Sequence, residues 1–499
     1  MLTSTLTLFC IYHFLIGTSR RHLPPGPRPA FFIGNALQLG SKEPEILFQQ
    51  WAAKFGHILY MHVLGQPMIV LSSQEAVRDL MEKRSAIYSD RPRFVLLNEL
   101  MGWQSASTHV RYGPRFRKHR RFIHQTFNAR AVSSFRPLQE QETAVLLDGL
   151  IQSPHKFVQH FRRYAAATIF PITYGHKITS VDDHLVRLAE RAGTLTIASG
   201  TPAATLVDYL PLLKYIPAWA PFAGFKRKAL ETRKAVDKMM NIPFDMVKKN
   251  MRSGTATPSF TSSLLEAHCT SDKEAIAIED EEDIIKGAAG TLFAAAEDTT
   301  VAIMESFILA MVRYPEVYKK AQEEIDRVIG SERLLTINDR GSLPYLECVL
   351  KELFRWNPPL PLGFPHRVME DDSYQGYHIP NGATIIANIY AMLQDCSQPH
   401  VFRPERFIDD PNISDPREVV FGFGRRICPG RHFGETNVWY MIANITATLD
   451  ISKSTDDEGK EITPPFEVIC SFVRHPKPFS CSIRPRSEKA TSLIHDAKL

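Results

Sequence analysis

Apolar residues recur at helical spacing through the middle of this chain and at alternating spacing near its two ends. Over 57–71 (HILYMHVLGQPMIVL) two β-rich runs flank Gly65-Gln66-Pro67, which predicts a hairpin. Residues 73–84 read as a helix capped by Ser72 or Ser73. Helical patterns dominate from about 115 to 355, at 137–152, 180–198, 225–252, 281–313 and 316–329. Segments 374–379 and 383–388 read as short strands around Pro380-Asn381-Gly382, a turn sequence. Residues 432–449 return to helix, and the tail over 466–484 is β-like and broken by prolines. The pattern predicts a mainly α fold of the α+β kind, with no linker dividing it. The Ser/Thr-rich stretch 253–263 predicts an exposed loop.

The N-terminus is apolar from Leu2 to Gly17, with Arg20 and Arg21 directly after. That run is shorter than the usual bilayer span, and His13 interrupts it. A cleaved signal peptide carries its positive charge before the apolar run. Here the charge follows, which favours an uncleaved anchor with the rest of the chain in the cytosol. The division is an anchor over 1–19, a proline-rich hinge over 20–30 and one domain over 31–499. Leu23-Pro24-Pro25-Gly26-Pro27 reads as a stiff spacer, since proline fixes φ and removes a donor. Net charge of +5 from 59 basic and 54 acidic residues, with no long basic block, is no nucleic-acid signature. Seven cysteines without a Cys-x-x-Cys argue against a disulfide framework and against a zinc site.

One of those cysteines carries the chemistry. Residues 421–430 read Phe-Gly-Phe-Gly-Arg-Arg-Ile-Cys-Pro-Gly, so Cys428 sits among glycines and two arginines, a setting for a thiolate held by positive charge and N–H groups. The alternative is a buried structural cysteine in a Gly-rich turn. Phe421, Gly424, Arg426, Cys428 and Gly430 match Phe-x-x-Gly-x-Arg-x-Cys-x-Gly at every fixed position, and this resembles the haem-binding loop of the cytochrome P-450 family. The resemblance implies the cytochrome P-450 fold, haem b with Cys428 as axial thiolate, and Arg426 on a haem propionate. A thiolate trans to oxygen favours O–O cleavage. Gly424 and Gly430 then let the backbone pass close to the macrocycle.

Three further motifs follow the family's order. Ala295-Ala296-Glu297-Asp298-Thr299-Thr300, within a helical run, resembles the family's oxygen-binding helix, where the acid and threonine relay protons; Asp298 and Thr299 take those roles by position. A Thr hydroxyl there can bond back to the carbonyl one turn earlier and bend the helix. A solvated helix turn is the bland alternative, and Ala296 stands where the family usually has glycine. Glu352 and Arg355, at i and i+3, share a helix face. With Arg406 of Pro404-Glu405-Arg406-Phe407 they match the family's buried structural lock. The stretch 393–403 is shorter than the family's, which predicts a perturbed loop. Phe116-Arg-Lys-His-Arg120 resembles Trp-x-x-x-Arg, whose ends contact haem propionates; Arg120 fits, and Phe116 lacks the indole N–H. Arg367 is a further propionate candidate.

Pocket candidates are 94–103, 205–219, Phe293, 358–364 and 469–473, all rather apolar, as suits a small lipophilic substrate. Residues 209–222, aromatic and proline-rich with little charge, suit a membrane interface. No Gly-x-Gly-x-x-Gly follows a strand, so electrons must come from another protein, and the resemblance implies an NADPH-dependent cytochrome P-450 reductase. The style of 358–368 and of the N-terminus resembles fungal microsomal members, which implies an endoplasmic reticulum membrane location and secondary metabolism, with a terpenoid, prenylated or aromatic substrate. The expected reaction is monooxygenation. The rivals are haem-thiolate isomerase or dehydratase chemistry and a haem-binding membrane protein without turnover.

Overall fold

The computed structural model describes residues 22–40, 43–198, 205–269, 275–469 and 471–498. The helices that position the site are α1 (Pro114–Phe127), α2 (Phe157–Tyr174), α3 (Ala275–Arg313), α4 (Pro344–Trp356) and α5 (Arg431–Thr448). Apart from Glu305, Ser306 and the terminal Arg313, the last third of α3 is apolar, and such a helix must lie inside. Phe307, Ile308, Leu309 and Met311 are fully buried there, packed on α2, α4 and α5. Each such side chain contributes about 1.5–3 kcal/mol of hydrophobic burial. Pro114, Pro315 and Pro344 each stand at the first position of their helices, where a missing N–H costs nothing.

The predicted hairpin forms as β1 (Ile58–Val63) and β2 (Gln66–Leu71), turning at Leu64 and Gly65, both at positive φ. It belongs to a four-stranded sheet ordered β1-β2-β6-β3, with β3 (His366–Arg367) and with β6 (Thr384–Ala387) parallel to β2. The segment expected as one strand over 374–379 is a separate hairpin, β4 (Asp372–Tyr374) and β5 (Tyr377–Ile379). Its turn is Gln375-Gly376, both left-handed, and the predicted turn at Pro380-Asn381-Gly382 forms as well, closed by Ala383 N–H on the Pro380 carbonyl at 3.1 Å with Gly382 at φ +83°. The tail supplies β7 (Leu449–Thr455), β8 (Glu461–Ile462), β9 (Val468–Ile469), β10 (His475–Pro476) and β11 (Cys481–Pro485).

Two expectations are corrected. Only 253–258 of the Ser/Thr-rich stretch is loop, because a capping box of Ser259 and Ser262 starts a helix at Phe260–His268. Its Thr261 is buried with its hydroxyl on the Thr173 carbonyl. The proline-rich segment, from His22 onward, is held on the sheets and is no free spacer. Tyr60 N–H donates to the Pro25 carbonyl at 3.0 Å and His378 N–H to the His22 carbonyl at 2.7 Å. A Cβ on Gly26 would stand 1.9 Å from the Tyr60 oxygen, so only glycine allows this docking. The anchor over 1–19 lies outside the described residues. Among the described residues no helix is long and apolar enough to cross a membrane.

Candidate active site

Between Val420 and α5 the chain makes two left-handed turns, at Gly422 (φ +75°) and Gly424 (φ +52°). Cys428 N–H closes the loop on the Phe421 carbonyl at 2.7 Å. A Cβ on Gly424 would stand 2.2 Å from the Met81 carbonyl oxygen, so neighbouring backbone excludes any side chain there. A Cβ on Gly430 would meet nothing within 4 Å. The Phe421 ring packs edge-on against Phe354 of α4 at 5.5 Å. Cys428 is a half-buried free thiol beside the N-terminus of α5, where the helix dipole favours an anion. Burial pushes the thiol pKa up, while the Gly430 N–H and the charges of Arg120 and Arg431 act against that rise.

Arginines surround the loop. Arg120 of α1 donates to the Ile427 carbonyl at 2.7 Å, which ties α1 to the residue before Cys428. Arg426 donates to the carbonyls of Ser89 (2.8 Å), Ser107 (3.3 Å) and Val110 (2.8 Å). Its guanidinium stacks on the Phe116 ring, 3.6 Å from the centroid. The phenylalanine that replaces the family's tryptophan is therefore a platform for the loop arginine. Arg91, which the sequence reading missed, is 4% exposed and donates to the carbonyls of Thr108, Phe364 and Pro365. Its signal was a charge wedged between Asp90 and Pro92 ahead of an apolar run. Burial first, then the neighbouring charge of Arg426, drives its pKa well below normal, and burial lowers that of Arg426 to about 9. Arg367 is half-buried and lies 3.3 Å from Asp90, which also binds Arg111.

Helix α3 meets this cluster through α1. His119 Nδ1 is 2.6 Å from Ser107 Oγ, and Ser107 N–H donates to Thr291 Oγ1 of α3 at 2.8 Å. Further along α3, Thr299 Oγ1 donates back to the Ala295 carbonyl at 2.9 Å. Ala296 is half-buried against the core. Asp298 faces His475 of β10, Nε2 to Oδ1 at 3.2 Å, a partner the sequence reading also missed because a lone histidine in a β-like tail carries no motif. Glu297 is buried against Arg162 of α2 at 3.0 Å; burial raises its pKa to about 7, with Arg162 opposing.

On the far side of α4, Glu352 receives Arg355 (2.8 and 2.9 Å) and Arg406 (3.0 and 3.1 Å). Both arginines are fully buried. Their remaining N–H groups reach the carbonyls of Leu393, Ser397, Gln398 and Val401. The short 393–403 stretch thus wraps the two guanidiniums, and its one left-handed residue is Gln398, at φ +49°. A long side chain there pays conformational strain that the Arg406 bond helps to hold.

Arg91, Arg120 and Arg426 are met chiefly by carbonyl oxygens, so positive charge stands in excess beside a free thiol. That donor set fits a group with one thiolate-binding metal and an anionic edge. Cys428 would hold the iron of a haem, and the three arginines would face its carboxylates. The arrangement defines a helical haem-thiolate protein. The family model for cytochrome P-450 matches residues 24–483, and the chain belongs to that family. It is 41% identical to cytochrome P-450 monooxygenase 176 of Postia placenta, over 98% of this chain and 95% of that one. It is 40% identical to cytochrome P-450 monooxygenase claR of Ampulloclitocybe clavipes, over 98% and 91%. It is 37% identical to the tryptamine 4-monooxygenase of Psilocybe cyanescens, over 98% of each chain. The enzyme class is that of cytochrome P-450 monooxygenases, with haem b and a cysteine thiolate as its axial ligand.

Proposed function

We propose that this enzyme oxidises a small lipophilic metabolite in fungal secondary metabolism, using O2 and electrons from an NADPH-dependent reductase. The observation that carries the substrate class is a buried aromatic cluster among the candidate pocket segments. Rings from two candidate pocket segments converge on His109, Phe94 (6.1 Å) and Trp103 (6.1 Å) from one and Phe364 (5.4 Å) from the other, and Phe472 of a third packs on Phe364 at 4.5 Å. Burial first, then the charges of Arg91 and Arg426, lowers the His109 pKa to about 3, so the ring is neutral. Aromatic rings around a neutral imidazole, with Arg91 over the Phe364 ring already bonded to backbone carbonyls, suit a flat or polycyclic apolar molecule, an aromatic, prenylated or terpenoid compound. The haem, when bound, supplies oxygen activation. The chain's residues bind, orient and keep water out, and Asp298 and Thr299 hold protons on α3. That acid and threonine favour monooxygenation over isomerase or dehydratase use of the same haem.

The same reading places the chain on the endoplasmic reticulum membrane, anchored by residues 1–19 and facing the cytosol. Leu212, Tyr215, Trp219 and Phe222 stand outward, Trp219 82% and Phe222 95% exposed, as an interfacial patch would. The test is expression in microsomes, reduction, and the carbon monoxide difference spectrum beside Cys428→Ala. A long-wavelength Soret band, lost in the variant, is expected. Screening terpenoids and indoles with reductase then checks the substrate class, and product formation that needs no NADPH would reject monooxygenation.

A further inference from the structure

Asp298 has a partner that no motif supplies. His475 of β10 lies against α3, with Nε2 3.2 Å from Asp298 Oδ1 and Nδ1 2.7 Å from Glu305 Oε2. The two carboxylates are seven residues apart, hence two turns apart on one face of α3. The ring spans that gap, and its side chain is 12% exposed. A carboxylate has only acceptors, so a ring meeting one at each nitrogen donates from both and is an imidazolium. Beside Asp298, Glu297 pairs with Arg162 of α2, and Arg162 comes within 3.8 Å of Glu190. Burial works to lower the His475 pKa; Asp298 and then Glu305 outweigh it and raise it to about 9.

We propose that His475 is the positioning residue for Asp298, clamping its carboxylate to Glu305 across two turns of α3 and fixing the direction from which protons are delivered. This rests on the reading of Asp298 as the proton-delivering acid. An aspartate in mid-helix is otherwise free to change rotamer. With one oxygen pinned by a charged donor, the other keeps a constant direction. A neutral side chain of similar size cannot hold two carboxylates at once.

The test uses the full-length haem-loaded protein with reductase, NADPH and O2, no added substrate, and NADPH oxidation as the readout. Variants are His475→Gln, His475→Arg, Asp298→Asn and the Gln/Asn double variant, each first shown to give the thiolate band with carbon monoxide. His475→Gln is expected to slow oxidation about tenfold, the scale of a displaced catalytic group. The wild type is expected to slow as pH passes about 9, where the ring loses its second proton, and His475→Gln to lack that fall. The double variant is no slower than Asp298→Asn, and arginine at 475 restores most of the rate. Thermal unfolding gives a readout apart from turnover. A raised histidine pKa contributes stability that is complete below about 6.5 and lost as pH rises through about 9, so the wild-type advantage over His475→Gln must shrink across that window. An advantage independent of pH overturns the ionic clamp. If His475→Gln keeps the wild-type rate and pH profile while Asp298→Asn is slow, positioning is overturned and the role of Asp298 stands. If Asp298→Asn is as fast as wild type, the reading beneath the proposal falls. Should the Gln variant fail to take up haem, His475→Arg and Asp298→Asn decide alone: an Arg variant as slow as Asp298→Asn overturns the clamp.

Discussion

Two sets of arginines are satisfied in different ways: Arg355 and Arg406 are fully buried, while in the second set Arg91 is buried and Arg120 and Arg426 are half-buried. Arg355 and Arg406 share the carboxylate of Glu352, four contacts between 2.8 and 3.1 Å, and spend their remaining donors on the 393–403 wrap. Arg91, Arg120 and Arg426 have carbonyl oxygens in place of a shared acid. The first set is neutralised by its own protein. The second stands in excess, with Asp90 at its edge already engaged by Arg111. Burying a charge without its counter-ion is expensive, so such a cluster calls for an anionic partner. On the reading proposed above, that partner is the anionic edge of the haem, and the first set would hold the chain around it.

Removing the shared acid tests the first set and carries the largest effect. Glu352→Gln leaves two fully buried guanidiniums without a counter-ion, a cost of about 3–5 kcal/mol. The expected outcome is a collapse of the thermal midpoint and no thiolate band with carbon monoxide. Unfolding of the haem-free protein by urea, followed by circular dichroism, checks it. A variant as stable as wild type would mean that the lock is ornamental.

Removing a cation from the second set is the sharper comparison. Arg426→Met strips three carbonyls of a donor and relieves a half-buried charge, so the two terms oppose and the net cost is about 1–3 kcal/mol. Haem transfer to apomyoglobin should speed up about tenfold, the equivalent of one charge-assisted contact of about 1.5 kcal/mol. If stability falls as far as in Glu352→Gln while haem release is unchanged, the two sets are the same kind of lock and the contrast fails.

The loop was legible because it is local, five fixed positions within ten; of the lock only the Glu352–Arg355 pair is local, and Arg406, 54 residues from Glu352, came in through the family resemblance. The sequence also announced the long helix α3 and the Thr299 back-bond, since both follow from helical periodicity. What stayed hidden depends on contacts across long separations. Arg91 meets the carbonyls of Phe364 and Pro365 over 270 residues away, and His475 reaches α3 from 170 residues beyond Glu305. No periodicity encodes those pairings. The role of Phe116 was hidden for a different reason. As an isolated residue it reads as a lost N–H, and its ring matters only once Arg426 lies on it. The Ser/Thr-rich helix start was missed because composition speaks for loop while the spacing of Ser259 and Ser262 speaks for a cap.

Arg367 gives the smallest effect and the finest cut between the two sets. It stands at the rim of the unpaired cluster, a third of its side chain open to solvent, 3.3 Å from an Asp90 oxygen that Arg111 also binds. An exposed pair sharing its acid contributes under about 1 kcal/mol, since water screens the charges and Arg111 remains if Arg367 leaves. Arg367→Gln should therefore leave the urea midpoint of the haem-free protein almost where it was. Its N–H still donates to the Asp90 carbonyl at 2.9 Å, so strand β3 stays in register. If the residue serves the cofactor, haem release must rise, about two- to fivefold, with no matching loss of fold stability. If both stay at wild-type values, Arg367 belongs to neither set and its charge serves only Asp90. If the midpoint falls by more than about 1 kcal/mol, Arg367 is part of the structural pairing and the cluster of excess charge ends at Arg91, Arg120 and Arg426.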